Sequence, residues 1–246
     1  MRSRVYLLAM LACWRFASAL RLPAAAQPPK QHANAAQLQR PPALTSQPAS
    51  WPLDPFLLGI FRWVLQRETG TADPAPGFDG MIAELRAYQR THSIDAQADC
   101  AEDILNSLVG PLPEVWKALA APSEWSPAAL AFFAPYFLHF LVGDMQTTQR
   151  AHGDSRPGGV LVKRCAVLEH SGCKGLCATM CKIPTERHFA RRWGVPLHMQ
   201  PNFETYECQL SFGVPPPPFE DDPSIPHGCL QQCPAAQADR AASIVC

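Results

Sequence analysis

The 246-residue chain has no excess of charge of either sign, because 21 Lys and Arg residues balance 21 Asp and Glu residues. A nucleic-acid-binding surface is normally strongly basic, and electrostatic attachment to an anionic membrane needs a polybasic segment. The balance therefore argues against nucleic acid as a partner and against charge as the main membrane anchor. Apolar residues make up 47% of the sequence, which argues against a disordered chain.

Three common catalytic signatures are missing as well. The sequence has no Ser-His-Asp arrangement, no glycine-rich phosphate-binding loop and no paired-carboxylate pattern. These signatures are typical of hydrolases, kinases and nucleotide-binding proteins. We therefore do not expect those functions.

A run long enough to cross a membrane is also missing. Residues 128–142 are apolar except for His139 and rich in aromatic side chains, but this run is interrupted by Pro135. A transmembrane helix needs about twenty apolar residues. We expect a fully buried core helix here. The alternative is the wall of a lipophilic pocket or a face resting on a membrane.

Acidic residues are absent from residues 1–53, which contain six basic ones. Arg2 and Arg4 precede an apolar run, and small residues at 17–19 offer a cleavage site, as in a signal peptide. Residues 24–50 are rich in Ala, Gln and Pro, as in a transit peptide. We interpret residues 1–50 as a cleaved signal-plus-transit segment of a plastid protein, with secretion as the alternative.

The chain is predicted to be helical from residue 51 onwards. Apolar residues recur at the three- and four-residue spacing of a helix in four segments: 54–67, 78–90, 104–109 and 115–119. Gly70 is the predicted end of the first helix. Ser126 is the predicted N-cap of another helix that runs to about Val142, with Pro127 at its first position.

The remaining segments are shorter and more irregular. Residues 146–159 are predicted to form a polar loop, and residues 197–199 and 208–212 a small hairpin. We therefore predict a mainly α fold, in which a helical region at 51–145 packs on a small irregular α+β, cysteine-rich, metal-binding part at 159–246.

Cysteine is the most informative residue type that is present. Seven of the ten cysteines lie in one segment: Cys165, Cys173, Cys177, Cys181, Cys208, Cys229 and Cys233. Four residues advance a helix by about 400°, so a helix over residues 171–182, ended by Pro184, would carry Cys173, Cys177 and Cys181 along one face. Such a density of thiols indicates metal or cluster ligands, or a disulfide framework.

The residues alone leave this choice open. Structural zinc prefers Cys-x2-Cys pairs, of which the sequence has none. Disulfides would suit an oxidising compartment and an even number of cysteines. Thiols along a helix, completed by the distant Cys233-Pro234, favour an iron–sulfur cluster, although the spacing is not that of either ferredoxin type. Mononuclear iron would need histidines and carboxylates, and the candidates are scattered: His170, His188, His198 and His227.

Four motifs resemble the plastid beta-carotene isomerase family, the iron-containing enzymes that open strigolactone biosynthesis. They are GVLVKRCAVLE at 159–169, GCKGLCATMCKIPT at 172–185, GVPL at 194–197 and MQPNFETY at 199–206. The resemblance covers about residues 159–234. It departs at Gly143-Asp144-Met145, where Gly-Pro-Cys is expected.

The resemblance implies an enzyme that isomerises all-trans-beta-carotene to the 9-cis form, or acts on a close relative, by transient one-electron chemistry at a cysteine-ligated iron centre. It implies iron as the cofactor, as a cluster in preference to a single ion. It also implies a carotenoid substrate and allows peripheral membrane contact. A non-catalytic iron–sulfur or lipid-binding protein of the same family is the alternative.

Two sets of site residues follow from the resemblance. The seven cysteines from Cys165 to Cys233 form the implied pool of iron ligands. The implied substrate lining consists of aromatic side chains: Trp125, Phe133, Tyr136, Phe137 and Phe140.

Overall fold

Five helices occupy the chain between Asp54 and Val142 in the computed structural model, which describes residues 51–120, 123–151 and 156–231. They are α1 (Asp54–Thr69), α2 (Gly77–Thr91), α3 (Ile94–Val109), α4 (Leu112–Ala120) and α5 (Ser126–Val142). The prediction of a mainly α fold is confirmed. The predicted targeting segment and Cys233 lie outside the described residues, and the division at 51–145 and 159–246 stays a prediction.

The sequence predicts one end of α1 and one end of α5, and the structure tests both predictions. Gly70 ends α1 in the left-handed conformation, with φ 67°, and its N–H donates to the Gln66 carbonyl, as predicted. The predicted N-cap of α5 is wrong by one residue, since Trp125 takes that position. Ser126 is already helical, and its hydroxyl accepts a hydrogen bond from Trp116 Nε1 at 3.0 Å.

A four-stranded antiparallel sheet follows α5, in the order β1-β2-β4-β3. Its strands are β1 (Met145–Gln149), β2 (Pro157–Val162), β3 (Leu197–Pro201) and β4 (Cys208–Phe212). The predicted hairpin is confirmed, with Leu197 opposite Phe212. The predicted loop at 146–159 is wrong at both ends. Strand β1 is a polar edge strand, so it lacks the apolar alternation that reveals a half-buried strand.

The thiol-bearing segment is not one helix. Helix α6 (Ala166–Ser171) ends at Gly172, with φ 54°, and α7 (Lys174–Cys177) begins after Cys173. A π-helical turn (Ala178–Lys182), α8 (Ile183–His188) and a second π-turn (Phe189–Trp193) continue it. Cys173 is the N-cap of α7, with φ −123°, so the predicted row of three thiols on one helical face does not form. Pro184 is predicted to end the thiol-bearing helix. It lies instead in the first turn of α8, where no backbone N–H donor is needed.

The apolar core is continuous from α1, α2 and α3 through α5 to the sheet. It includes Leu65, Met81, Leu130, Val160 and Leu197. Helix α5 lies against β2 and β4, and α3 lies against α8. The last two elements of the described residues are a 3-10 turn (Phe219–Asp221) and α9 (His227–Gln231). Among the described helices, none combines the length and the apolarity needed to span a bilayer.

Candidate metal centre

Four of the predicted ligand cysteines come together where the sheet meets the first π-turn. Cys165 follows β2, Cys208 begins β4, and Cys177 and Cys181 flank or lie in the π-turn. Their thiols are close enough to interact electrostatically with one another. None of the seven described cysteines forms a disulfide. The four residues are called the thiol group below.

Burial dominates the acid–base behaviour of the thiol group. It raises the pKa of Cys165, raises those of Cys177 and Cys208 well above the ordinary value, and raises that of Cys181 to about 12. Neighbouring thiols act in the same direction, while the charge of Lys182 opposes the shift for Cys177, Cys181 and Cys208. The thiols are therefore protonated at neutral pH, and a metal that binds them must displace protons.

The remaining predicted ligands are placed differently. Cys173 Sγ lies 3.8 Å from the side-chain amide of Gln89 and accepts a hydrogen bond from the Leu176 N–H at 3.4 Å. Cys229 lies beside α7, since a Cβ added at Gly175 would be 3.7 Å from its Sγ. Both residues lie near the start of α7, whose last residue is Cys177. Cys233 lies outside the described residues.

A buried charge cluster adjoins the thiol group. Lys182 is 0% exposed, and its ammonium donates to Glu186 Oε1 at 2.6 Å, to the Met199 carbonyl at 2.7 Å and to Asp222 Oδ2 at 2.8 Å. His198 Nε2 lies 3.9 Å from Asp222 Oδ2. All three ammonium protons therefore have acceptors.

This cluster has the composition of a cation site. Glu186, His198 and Asp222 place ligand atoms within 4.8 Å of one another, and no other such group of three or more occurs in the part of the chain that the structure describes. Burial raises the pKa of Glu186. It also acts to raise that of Asp222, but hydrogen bonds from Lys182 and Ser224 outweigh it and lower the pKa. The Lys182 ammonium already pairs with both carboxylates, so a metal would have to displace it.

Sequence reasoning missed Lys182, Glu186 and Asp222. The available signal was weak: Lys182 is the one charged residue between Gly175 and Pro184, and Asp222 ends an acidic run after four prolines. Nothing in the pattern indicated that two residues forty positions apart would pair in the interior.

The predicted substrate-lining residues lie on the outer side of α5. Trp125, Phe133, Tyr136 and Phe137 are exposed, the last by 65%, so the expectation of a fully buried α5 is wrong. Phe140 is half-buried, with its ring centroid 6.3 Å from that of Phe61. Their role as substrate lining stays a prediction.

Comparison with known proteins agrees with the resemblance seen in the motifs. Residues 140–221 match the family model described as Beta-carotene isomerase D27-like, C-terminal. This range contains the whole thiol group and Cys173. No solved structure matches the chain.

Two curated relatives extend the match. The chain is 27% identical over 173 residues to "Beta-carotene isomerase D27, chloroplastic" of Medicago truncatula, covering 70% of this chain and 69% of that protein. It is 33% identical over 137 residues to the protein of the same name from Arabidopsis thaliana, covering 54% of this chain and 52% of that protein. Both names carry the word chloroplastic, which confirms the plastid localisation. Residues 140–221 of the chain are therefore similar to the C-terminal domain of the beta-carotene isomerase D27-like family.

Proposed function

We propose that this chain is a carotenoid cis–trans isomerase that interconverts all-trans- and 9-cis-beta-carotene, or a close relative, with an iron centre held by the thiol group. The relatives carry the name beta-carotene isomerase. The observation that carries the proposal for this chain is the convergence of four free, mutually interacting thiols inside the family-matched residues.

The donor set suits a cluster better than a single ion. A lone ion bound by thiolates at about 2.3 Å holds its sulfurs within about 4 Å of one another, and no three described thiols lie within 4.8 Å of one another. A cluster distributes its cysteines over several irons and spaces the sulfurs more widely. Four free, largely buried thiols therefore match a four-cysteine cluster in number and donor type.

The chemical problem is rotation about one double bond without net oxidation. An iron centre supplies reversible one-electron chemistry, which lowers the order of the chosen bond, whereas a hydrocarbon offers no lone pair for Lewis-acid catalysis. The chain contributes the surroundings of this centre. Burial excludes water from the thiol group, and the nearby Lys182 ammonium opposes the rise in the pKa of Cys177, Cys181 and Cys208, which favours their thiolate forms.

The proposal is tested with Cys177→Ser and a matched control, Cys100→Ser. Cys100 is also a buried helical cysteine, but its hydrogen-bond partner is Tyr88 on the adjacent helix. After anaerobic purification, Cys177→Ser should lose bound iron and acid-labile sulfide, and Cys100→Ser should keep both.

Activity is read from the ratio of carotene isomers in carotene-producing cells. The wild-type protein and Cys100→Ser should convert substrate in excess of their own amount, and Cys177→Ser should not. Full iron content in Cys177→Ser would overturn the ligand assignment. Iron-loaded protein that enriches one isomer only in proportion to its own amount would identify a binding protein instead of an enzyme.

A further inference from the structure

Helix α1 is apolar on its outer side as well as its inner side. Its inner side buries Phe61, Val64 and Leu65. A second stripe recurs at three- and four-residue spacing on the side facing solvent: Leu53, Phe56, Ile60 and Trp63, which are 61%, 66%, 41% and 61% exposed. A surface helix of a monomeric protein normally has one apolar stripe, with polar residues opposite. The outer stripe therefore indicates a surface that is covered in use.

Helix α5 extends this stripe into a larger surface. Phe133, Tyr136 and Phe137 are 46%, 50% and 65% exposed. Trp51 joins the two helices, because its ring centroid lies 6.3 Å from that of Tyr136. The combined surface is called the aromatic face: Trp51, Leu53, Phe56, Ile60, Trp63, Phe133, Tyr136 and Phe137.

Buried polar contacts hold the aromatic face in place. His139 Nε2 on α5 lies 2.7 Å from Asp54 Oδ1 on α1, and the Trp51 N–H donates to Asp54 Oδ2 at 2.9 Å. Both side chains of the Asp54–His139 pair are buried. The start of α1 is therefore fixed against α5, and the aromatic side chains project from a preformed surface.

The composition of the aromatic face indicates the kind of partner that it binds. It contains no charged side chain, and Arg67, one turn beyond Trp63, stacks over the Trp63 ring at 5.1 Å and pairs with Glu68. Trp and Tyr among Phe, Leu and Ile are typical of the membrane–water interface. An uncharged, apolar face binds by inserting into the acyl region, not by attraction to anionic headgroups.

A shallow, open apolar groove lies in this surface. It measures about 360 Å³ and is lined by Pro55, Phe56, Gly59, Ile60 and Trp63. The groove is open above Gly59, since a Cβ added there would meet nothing within 4 Å. An open, apolar notch between aromatic side chains accepts an acyl chain without requiring a hydrogen-bonding partner.

We propose that the aromatic face rests on a bilayer of uncharged lipids, with Phe56, Trp63 and Phe137 inserted among the acyl chains. This inference rests on the proposed function, because a hydrocarbon substrate dissolves in the apolar interior of a membrane and an enzyme acting on it gains access there. It deepens that function by naming the surface through which the protein meets the membrane.

The test is site-specific photocrosslinking in the full chain. Benzoylphenylalanine replaces Phe56 or Phe137 in two variants, and replaces Arg191, which is 67% exposed and paired with Glu102 on α3, in the control. Each protein is mixed with phosphatidylcholine vesicles, irradiated and analysed by mass spectrometry. We expect lipid adducts at 56 and 137 to exceed those at 191 by at least about fivefold, and to be unchanged by added salt.

Each other outcome overturns the proposal. Crosslinked dimers at 56 and 137 would assign the face to a second copy of the chain. Adducts with residues 1–50 would assign it to the leader, and equal labelling at all three positions would show that the face has no partner. Lipid labelling that requires anionic phosphatidylglycerol would exclude an uncharged bilayer. The readout needs no iron and no isomerisation, so its failure is distinguishable from failure of the proposed function.

Discussion

The thiol region and the aromatic face depart from ordinary soluble proteins in opposite ways. Around the thiol group, charged side chains lie inside: Lys182, Glu186 and Asp222 are 0%, 7% and 3% exposed. On α1 and α5, large apolar side chains lie outside. Charged residues are almost never fully buried unless paired, and a contiguous exposed apolar surface normally marks an interaction site. Under the proposed function, the two regions serve different parts of one reaction.

The two regions also differ in what offsets the cost of their unusual side chains. The buried charges are compensated within the chain, because Lys182 bonds two carboxylates and a carbonyl. The exposed aromatic side chains have no comparable cover within the described residues. An internal cluster needs no partner, whereas an apolar surface gains free energy only when something outside the chain covers it.

The surface where α3 and α4 meet the segment from Arg187 to Trp193 is charged. Three ion pairs lie there: Arg187–Asp99, Arg191–Glu102 and Arg192–Glu114. Exposed pairs of this kind contribute little to stability but keep a surface hydrated. The charged surface therefore contrasts with the aromatic face, although α4 also exposes Leu112, Val115 and Leu119.

Removing the buried Lys182 charge should have the largest effect on stability. Lys182→Met leaves Glu186 and Asp222 buried without their cation, which costs about 3–5 kcal/mol of the free energy of unfolding. Urea denaturation measures this loss. The cost should shrink as the pH falls, because protonated carboxyl groups no longer need the ammonium.

Lys163→Met is the matched control for that change. Lys163 also pairs with a carboxylate, Asp144 Oδ2 at 2.7 Å, but the two side chains are 51% and 65% exposed. Its removal should change the free energy of unfolding by less than about 1 kcal/mol. Equal losses in the two variants would show that burial of the Lys182 cluster has no energetic consequence.

Much of the fold follows from the sequence, but the orientation of its functional surfaces does not. Periodicity and Gly70 predict α1, and apolar alternation predicts the hairpin of β3 and β4. The segment from Cys173 to Trp193 has a helical pattern, which does not distinguish α-helical from π-helical turns. Helix α5 is apolar on all sides, so its sequence gives no indication of which side faces water.

The candidate site divides in the same way. The number and spacing of the cysteines predict a pool of ligands, but the convergence of Cys165, Cys177, Cys181 and Cys208 depends on how β2, β4 and the π-turn meet. Lys182 is hidden for the same reason. A lysine is predicted from sequence to be exposed. Only the folded structure shows that Lys182 is buried and that Asp222 lies beside it.

A smaller effect is expected from His188, a second buried polar residue near the thiol region. It is 1% exposed, and Trp193 Nε1 donates to its Nε2 at 3.0 Å. Burial, followed by the charge of Arg192, lowers its pKa to about 4. The folded state therefore favours neutral His188, and its contribution to stability is complete above the unfolded pKa of about 6.5 and is lost as the pH falls towards 4.

The difference between the folded and unfolded pKa of His188 corresponds to stabilisation on the order of 3 kcal/mol. His188→Gln keeps an acceptor for Trp193 and cannot titrate in this range, so its free energy of unfolding should fall less between pH 7 and pH 4.5 than that of the wild-type protein. Urea titrations of both proteins at both pH values measure this difference. Parallel curves would show that His188 titrates normally.

The smallest effect on stability is expected at a glycine on the aromatic face. Gly59 lies in the middle of α1, and a Cβ there would meet nothing within 4 Å. Gly59→Ala should therefore raise the free energy of unfolding by about 0.5–1 kcal/mol through helix propensity.

Gly80, near the start of α2, is the contrasting position, since a Cβ there would collide with the backbone oxygen of Ala75 and the side chain of Arg62. Gly80→Ala should lower the free energy of unfolding, and chemical denaturation compares the two variants directly. If Gly59→Ala also destabilised the protein, the groove would be closed in solution by another part of the chain, and the aromatic face would not be open to lipid. If it stabilises the protein, the space above Gly59 is open in solution, as the aromatic face requires.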